Sequence, residues 1–232
     1  MNALTDSDLR FVVSRVPKDV RAALMSRPVI LAGGFIRGTI AGEKISDVDL
    51  FVSDKQIAES CAMELALTRK GRMHRTDNAL TVLSPPRYPV QFITRWLFNS
   101  AEEVSASFDF TVCQAAVWFE DKRWQSVCYP EFYQDLAARR LVYTMPKRNE
   151  DAGGSMLRVL KYVKRGYSIQ AESLAGVITR MVKGVDLAKL ADLSSNDERE
   201  AARMLSNILR EVDPLTLIDG FDLVDEHEVI TG

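Results

Sequence analysis

The sequence predicts a mixed α/β (α+β) head, residues 1–145, followed by a helical C-terminal portion, residues 146–232. Three observations carry this. An apolar run, VIL, ends at the pair Gly33-Gly34, opens a short helix-like segment and leads to the alternating run DVDLFV. Short alternating or apolar runs separated by turn residues then recur as far as about residue 130, which is the pattern of strands. Beyond that point the apolar residues recur at helical spacing instead.

Taken in order, the chain opens with two short helices. Pro17 sits at a first helical position of the second, and Val20, Ala23 and Leu24 line one of its faces. Pro28 breaks that pattern, and VILAGG reads as a buried strand ending in a turn. GFIRGTIAG is a short helix closed by Gly42, and Asp47–Val52 is a strand in which Val48, Leu50 and Val52 alternate with Asp47, Asp49 and Phe51. Asp54 caps the next helix, whose apolar stripe is Ile57, Ala58, Cys61 and Leu65. Strands follow at Ala79–Leu83 and Val90–Thr94, split by the Pro85-Pro86 loop, and then an acidic helix at Ser100–Ser105. DFTVCQAAVWF reads as a strand-like run, turned at Asp121-Lys122 into a return strand near Trp124–Val127. Glu131–Arg139 and Gly154–Tyr167 begin the helical portion. Ser195 and Glu198 have capping-box spacing ahead of the stripe Ala201, Ala202, Leu205, Ile208, Leu209 and Val212, and the tail DEHEVITG is expected to fray.

Composition narrows the function classes. The chain is 47% hydrophobic and 27% charged, with 30 basic against 32 acidic residues, so no global charge argues for nucleic acid. No apolar run is long enough to cross a membrane, and the N-terminus lacks the features of a secretory signal. Cys61, Cys113 and Cys128 are odd in number and widely spaced, against a disulfide framework or a zinc site and in keeping with a reducing cytoplasm. His74 and His227 are equally isolated.

The chemistry concentrates at Asp47 and Asp49. Residues two apart on a strand face one side, and paired carboxylates offer the oxygen ligands that hard cations such as Mg²⁺ or Mn²⁺ select. A D-x-D alone is commonly a solvated strand edge. Gly33-Gly34 upstream adds a strand-to-helix turn where backbone N–H groups and the helix dipole favour a phosphate. Arg37 stands one turn further on. A glycine pair is by itself more often a plain tight turn, and Arg37 by itself a surface arginine, but the composite arises by chance far less often.

This stretch resembles the head of the nucleotidyltransferase superfamily related to DNA polymerase beta, in its CCA-adding tRNA nucleotidyltransferase and bacterial poly(A) polymerase branch. That branch carries GG-x-x-R-D, a small helix ending near glycine, and D-x-D; here Gly33, Gly34, Arg37, Gly42, Asp47 and Asp49 match. Asp109-Phe110-Thr111 matches the branch's R-R-D-F-T segment, Asp135-Leu136 its D-L, and Arg158, Lys161 and Lys164 its helix of basic residues at spacing three. The resemblance runs from Val29 to Tyr167. It implies a nucleotidyltransferase-type mixed sheet flanked by helices, with Asp47 and Asp49 as catalytic metal ligands for Mg²⁺ or Mn²⁺. It also implies Gly33, Gly34, Arg37, Asp109, Arg158 and Lys161 as nucleotide contacts, an NTP as substrate, and RNA or tRNA as partner. The chain departs from the pattern in holding Gly38 for an aspartate, Ser107 and Phe108 for the arginine pair, Cys113 for an asparagine, and Ser155-Met156 for D-P. Gln91 stands where many members of the superfamily have a third carboxylate, and no E-D-x-x-R segment is present. Together with a short helical remainder, these departures argue against a CCA-adding enzyme as such.

Two readings of different class follow. The first is a nucleotidyltransferase moving a nucleoside monophosphate from an NTP to an acceptor hydroxyl, an RNA 3′ end above all. The second is a nucleotide- or RNA-binding module that retains the fold without turnover, favoured by Gln91 and the replaced arginines. A partner-binding role for the C-terminal helices is a third. Trp96, Trp118 and Trp124 suit packing better than base stacking.

Overall fold

The computed structural model describes residues 1–146, 153–183 and 185–209. Val212, His227 and the acidic tail lie outside the described residues. The chain divides into two compact units. The first is Met1–Phe108 with Cys113–Phe132, and the second is Asp109–Val112 with the described residues from Tyr133 onward.

The first unit is built on seven strands: β1 (Val29–Ala32), β2 (Val48–Val52), β3 (Arg72–Arg75), β4 (Ala79–Leu83), β5 (Val90–Ile93), β6 (Ala115–Glu120) and β7 (Arg123–Cys128). Their spatial order is β3-β4-β5-β2-β1-β6-β7. Every neighbouring pair is antiparallel except β2 and β5, which run parallel at the centre. A parallel pair needs a crossover, supplied here by helix α4 (Lys55–Arg69), β3 and β4. Val48, Leu50, Val82 and Phe92 are fully buried in the middle of this sheet.

Local sequence explains most of the joints. Helices α1 (Asp6–Arg15) and α2 (Lys18–Ser26) form the expected opening pair, with Pro17 as the N-cap residue one place outside the second. Helix α3 (Gly34–Ala41) stops at Gly42, whose φ of 67° is the left-handed conformation that closes helices. The Asp54 carboxylate accepts from the Gln56 N–H at 2.6 Å, satisfying a first-turn donor of α4. Asp121 and Lys122, with φ of 51° and 60°, make the two-residue turn that suits the twist of a hairpin. Helix α5 (Ala101–Ala106) covers the sheet face that carries Phe51, where Ala32, Val104, Ala116 and Val127 form a buried cluster.

An ion pair ties α2 to α4. The Arg69 guanidinium is fully buried and donates to both oxygens of Asp19, at 2.8 and 2.9 Å, and to the Tyr88 carbonyl at 2.9 Å. Hydrogen bonding from Arg69 holds the Asp19 carboxyl below its usual range, against the opposing effect of burial. At the sheet's end, burial pushes the Cys128 thiol up to about 11.

The second unit holds α6 (Phe132–Ala137) at its boundary, then a small parallel pair, β8 (Arg140–Leu141) with β9 (Ser168–Ile169). Helices α7 (Gly154–Lys164), α8 (Ala171–Lys183), α9 (Leu187–Asn196) and α10 (Glu198–Ile208) complete it. Asp135, fully buried, accepts from Arg140 at 2.9 Å and from the Thr111 hydroxyl at 2.5 Å.

Several expectations are corrected. DFTVCQAAVWF is not one strand: Thr111–Cys113 is a 3-10 turn, and only Ala115 onward extends as β6. The break follows from bonding, because the Thr111 N–H is taken by the Val142 carbonyl and its hydroxyl by Asp135. The N-cap of α10 is Asp197, which accepts from the Glu200 N–H at 3.1 Å; Ser195 instead lies in the last turn of α9 and donates to the Ala191 carbonyl. Strands β3, β8 and β9 have no counterpart in the sequence pattern. Arg72–Arg75 lacks apolar alternation and becomes a strand only by pairing with β4 at the sheet edge.

Candidate functional site

The glycine turn is fixed by hydrogen bonds at both ends. The Gly33 N–H donates to the Ala115 carbonyl at 3.1 Å, and its own carbonyl accepts the Arg37 N–H at 3.2 Å. Gly33 holds φ 78° and ψ −128°, a conformation that side chains disfavour strongly. The place where its Cβ would stand is 2.7 Å from the Phe108 ring. Gly34 differs: its Cβ position has no heavy atom within 4 Å. The first turn of α3 carries no side-chain cap, and backbone donors at such a helix start favour an anion.

The acidic pair stands beside this turn. Antiparallel register places Leu31 opposite Leu50. One step further along, Asp49 faces the Ala32 end of β1, next to Gly33, and Asp47 lies beyond it. Both aspartates are half-buried. By the two-residue period of a strand they share the face of Phe51. The Phe51 ring meets the Phe108 ring edge-on at 5.8 Å, so the ring against Gly33 lies on the face that carries the carboxylates. The Ser46 hydroxyl donates to Asp47 Oδ1 at 2.8 Å.

Gln91 completes the floor. On β5 it pairs in parallel register with Asp49 and in antiparallel register with Thr81 of β4. It is 3% exposed, and its Nε2 donates to Asp47 Oδ2 at 3.4 Å. The amide orientation follows from chemistry, because a carboxylate only accepts and the amide oxygen cannot face it favourably. Thr81 is fully buried, and its hydroxyl has no hydrogen-bond partner. Among the described residues no group of three Asp, Glu, His or Cys side chains is placed to hold a metal.

Arg37 is buried at 3% exposure, with Nε on Glu43 Oε2 at 3.2 Å and Nη1 directed at Cys113 Sγ at 3.4 Å. The chain returns to bring Glu43 there after the left-handed Gly42. Asp109 and Arg158 belong to the second unit, where Arg158 Nε donates to Asp109 Oδ2 at 2.6 Å. Phe110 beside them packs on Tyr143 and Tyr162. Lys161 and Lys164 are exposed on α7 with Leu160 and Val163. No sequence signal points to Glu43 as the partner of Arg37, nor to Thr81 beside Gln91, since both depend on register or chain return.

Known proteins bear on this arrangement at two levels. The family model described as Gabija anti-defense 2 family protein matches residues 4–139. A curated relative, Gabija anti-defense 2 of Bacillus phage SPbetaL7, is 28% identical over 156 residues, or 67% of this chain and 38% of its own length. The chain thus spans less than two-fifths of that relative. Among solved structures, the Thermotoga maritima CCA-adding enzyme complexed with tRNA superposes with a TM-score of 0.59 at 18% identity, over 93% of this chain and 52% of its own. A CCA-adding enzyme complexed with ATP gives 0.57 at 18% identity, over 89% of this chain and 50% of its own. The likeness establishes the nucleotidyltransferase-type fold: a mixed sheet flanked by helices, with a helical C-terminal part.

Proposed function

The chain belongs to the Gabija anti-defense 2 family, and on that premise we propose that it is a metal-dependent nucleotidyltransferase whose anti-defense action runs through the Asp47–Asp49 site. It would transfer a nucleoside monophosphate from an NTP to an acceptor hydroxyl. The observation that carries this reading is the register placing Asp49 and Asp47 beside the uncapped first turn of α3.

The donor chemistry fits a hard divalent cation. Asp47 and Asp49 offer carboxylate oxygens on one strand face, and the Gln91 amide and the Ser46 hydroxyl both donate to Asp47. Asp47 and Asp49 would hold Mg²⁺ or Mn²⁺, which when bound supplies charge neutralisation for the triphosphate. The backbone at Gly33 and Gly34 would cradle phosphate oxygens, and Arg37, its charge offset by Glu43, would brace the helix behind them. Such a site accelerates transfer by positioning and electrostatics rather than by covalent chemistry. In the second unit, Asp109, Arg158 and Lys161 are proposed contacts to nucleotide or RNA backbone in their own right. An RNA 3′ end is the favoured acceptor, supported by the fold shared with an enzyme solved with tRNA.

Gln91 favours a second reading, in which the site binds nucleotide without turning it over. A neutral amide at that position removes a base from beside the acceptor hydroxyl. One experiment separates the readings. The protein, and an Asp47→Asn/Asp49→Asn variant, are incubated with each labelled NTP, Mg²⁺ or Mn²⁺, and total RNA or a lysate containing the Gabija defence. Label transferred by the wild type and lost in the variant is the expected result. Nucleotide binding without transfer would leave the binding reading standing and refute turnover.

A further inference from the structure

We propose that the cleft between α1, α2 and β7 is a docking site for an acidic peptide segment of a partner protein, one that sets an apolar side chain beside a carboxylate. The cleft has a volume of about 360 Å³ and is lined by Leu9, Arg10, Val13, Ser14, Arg21 and Trp124. It lies apart from the acidic pair. Val127 packs in the cluster on the Phe51 face, and Trp124, three positions earlier on β7, projects to the opposite face by strand alternation.

Local structure builds the walls. Leu9 and Val13 stand one turn apart on α1 and share a face. The Leu4 N–H donates to Ser126 Oγ at 3.1 Å, tying the lead-in of α1 to the same face of β7 that carries Trp124. The Trp124 ring is held edge-on against Phe119, with 5.2 Å between centroids.

Charge then selects the occupant. The half-buried Arg21 makes one side-chain hydrogen bond, from Nη1 to the Val13 carbonyl at 3.4 Å, and pairs with no carboxylate among the described residues. A guanidinium cannot shed its charge, and its remaining N–H groups match the two oxygens of a carboxylate. Arg10 meets Asp6 at 3.9 Å, with the two side chains 82% and 92% exposed, a pairing worth little. Both cations therefore have capacity for an incoming carboxylate, and the aliphatic wall of Leu9 and Val13 suits an apolar side chain next to it. Two cations suit one or two carboxylates, whereas nucleic-acid binders neutralise many phosphates. No lining residue is fully buried. The cleft thus covers one side of its ligand, as a groove covers a chain laid along it, whereas a small molecule is normally enclosed. Tryptophan and arginine are also the residue types that dominate binding energy at protein interfaces.

The test pans the full chain against phage-displayed random dodecapeptides, with an Arg21→Gln/Trp124→Ala variant panned in parallel. The expected result is enrichment, on the wild type alone, of peptides with Asp or Glu within two residues of Leu, Phe or Trp. The most enriched peptide is then made with a fluorescein label and titrated by anisotropy. Its affinity should fall at least about tenfold in Arg21→Gln and in Trp124→Ala, and its version with Asn or Gln for Asp or Glu should bind the wild type as weakly. Circular dichroism and a urea midpoint check folding, and Arg10→Gln, an exposed position with an expected loss of about threefold, serves if Trp124→Ala does not fold. No enrichment over the variant, enriched peptides that lack a carboxylate, or equal affinity in folded Arg21→Gln would each overturn the proposal. Displacement of the peptide by single-stranded RNA would overturn it as well, because the cleft would then be a nucleic-acid site.

Discussion

Gly33 and Gly34 are adjacent, yet the structure assigns them different costs, and substituting alanine at each exposes the difference. At Gly33 an alanine must adopt φ 78° and ψ −128°, a region worth about 1–3 kcal/mol against a side chain. Its methyl also stands 2.7 Å from two atoms of the Phe108 ring. That ring can retreat only by disturbing its contact with Phe51, so overpacking adds about 1–3 kcal/mol. Gly33→Ala should therefore lose about 2–6 kcal/mol, a large share of a domain's stability. Gly34→Ala meets no atom within 4 Å and sits at a helix start, so its stability should stay within about 0.5 kcal/mol of wild type. Its new methyl enters the space where a phosphate would approach, and nucleotide affinity should fall even though folding does not. The assay is urea unfolding followed by tryptophan fluorescence, paired with nucleotide titration. Adding Phe108→Ala closes a double-mutant cycle with Gly33, with an expected coupling of about 1–3 kcal/mol from relieved overlap. Equal stability of Gly33→Ala and wild type, or equal losses at the two glycines, would refute the reasoning.

Asp19→Asn strands the buried Arg69 charge and should cost about 3 kcal/mol, measured by chemical denaturation. Because the folded Asp19 carboxyl lies below its ordinary value of 3.8, its contribution is complete above that pH and is lost as pH falls through the lowered value. The acid limb of the stability profile below about pH 4 should accordingly be shallower in Asp19→Asn than in wild type. In the second unit, Arg158→Ala leaves the buried Asp109 carboxylate without this guanidinium and should destabilise that unit by about 3 kcal/mol, read by hydrogen exchange on α7. Cys128, with its thiol raised to about 11 and its side chain buried, should resist iodoacetamide at pH 8 in the native chain and react once urea unfolds it.

Features set by neighbours along the chain are legible in the sequence alone. Gly33-Gly34, the Asp54 cap, the prolines between β4 and β5, and the Asp121-Lys122 turn each act within a few residues, and each stands where the residue types place it. The acidic pair is legible for the same reason, since the two-residue period of a strand brings Asp47 and Asp49 to one face. What decides their surroundings is not local. The amide on Asp47 comes from Gln91 through the parallel β2–β5 pairing, and the burial of Arg37 comes from Glu43 after the chain reverses at Gly42. Thr111 reads as a strand residue until Asp135 and Val142, both remote in sequence, take its hydrogen bonds. Periodicity carries no information about such partners.

The two ends of the large sheet have a consequence for the protein at high concentration. A bare edge strand is a template on which another chain can add itself, and an aggregate can grow from there. On β3 the exposed residues include Arg72 and Arg75, with Arg75 held by Glu59. A second copy pairing along that edge would bring like charges together. At the opposite end, Asn2 exchanges backbone hydrogen bonds with Cys128 at 2.8 and 2.7 Å, occupying part of the β7 edge. Removing the first residues of the chain while neutralising Arg72 and Arg75 should leave both edges open and yield sheet-rich aggregates, detectable by thioflavin fluorescence and light scattering.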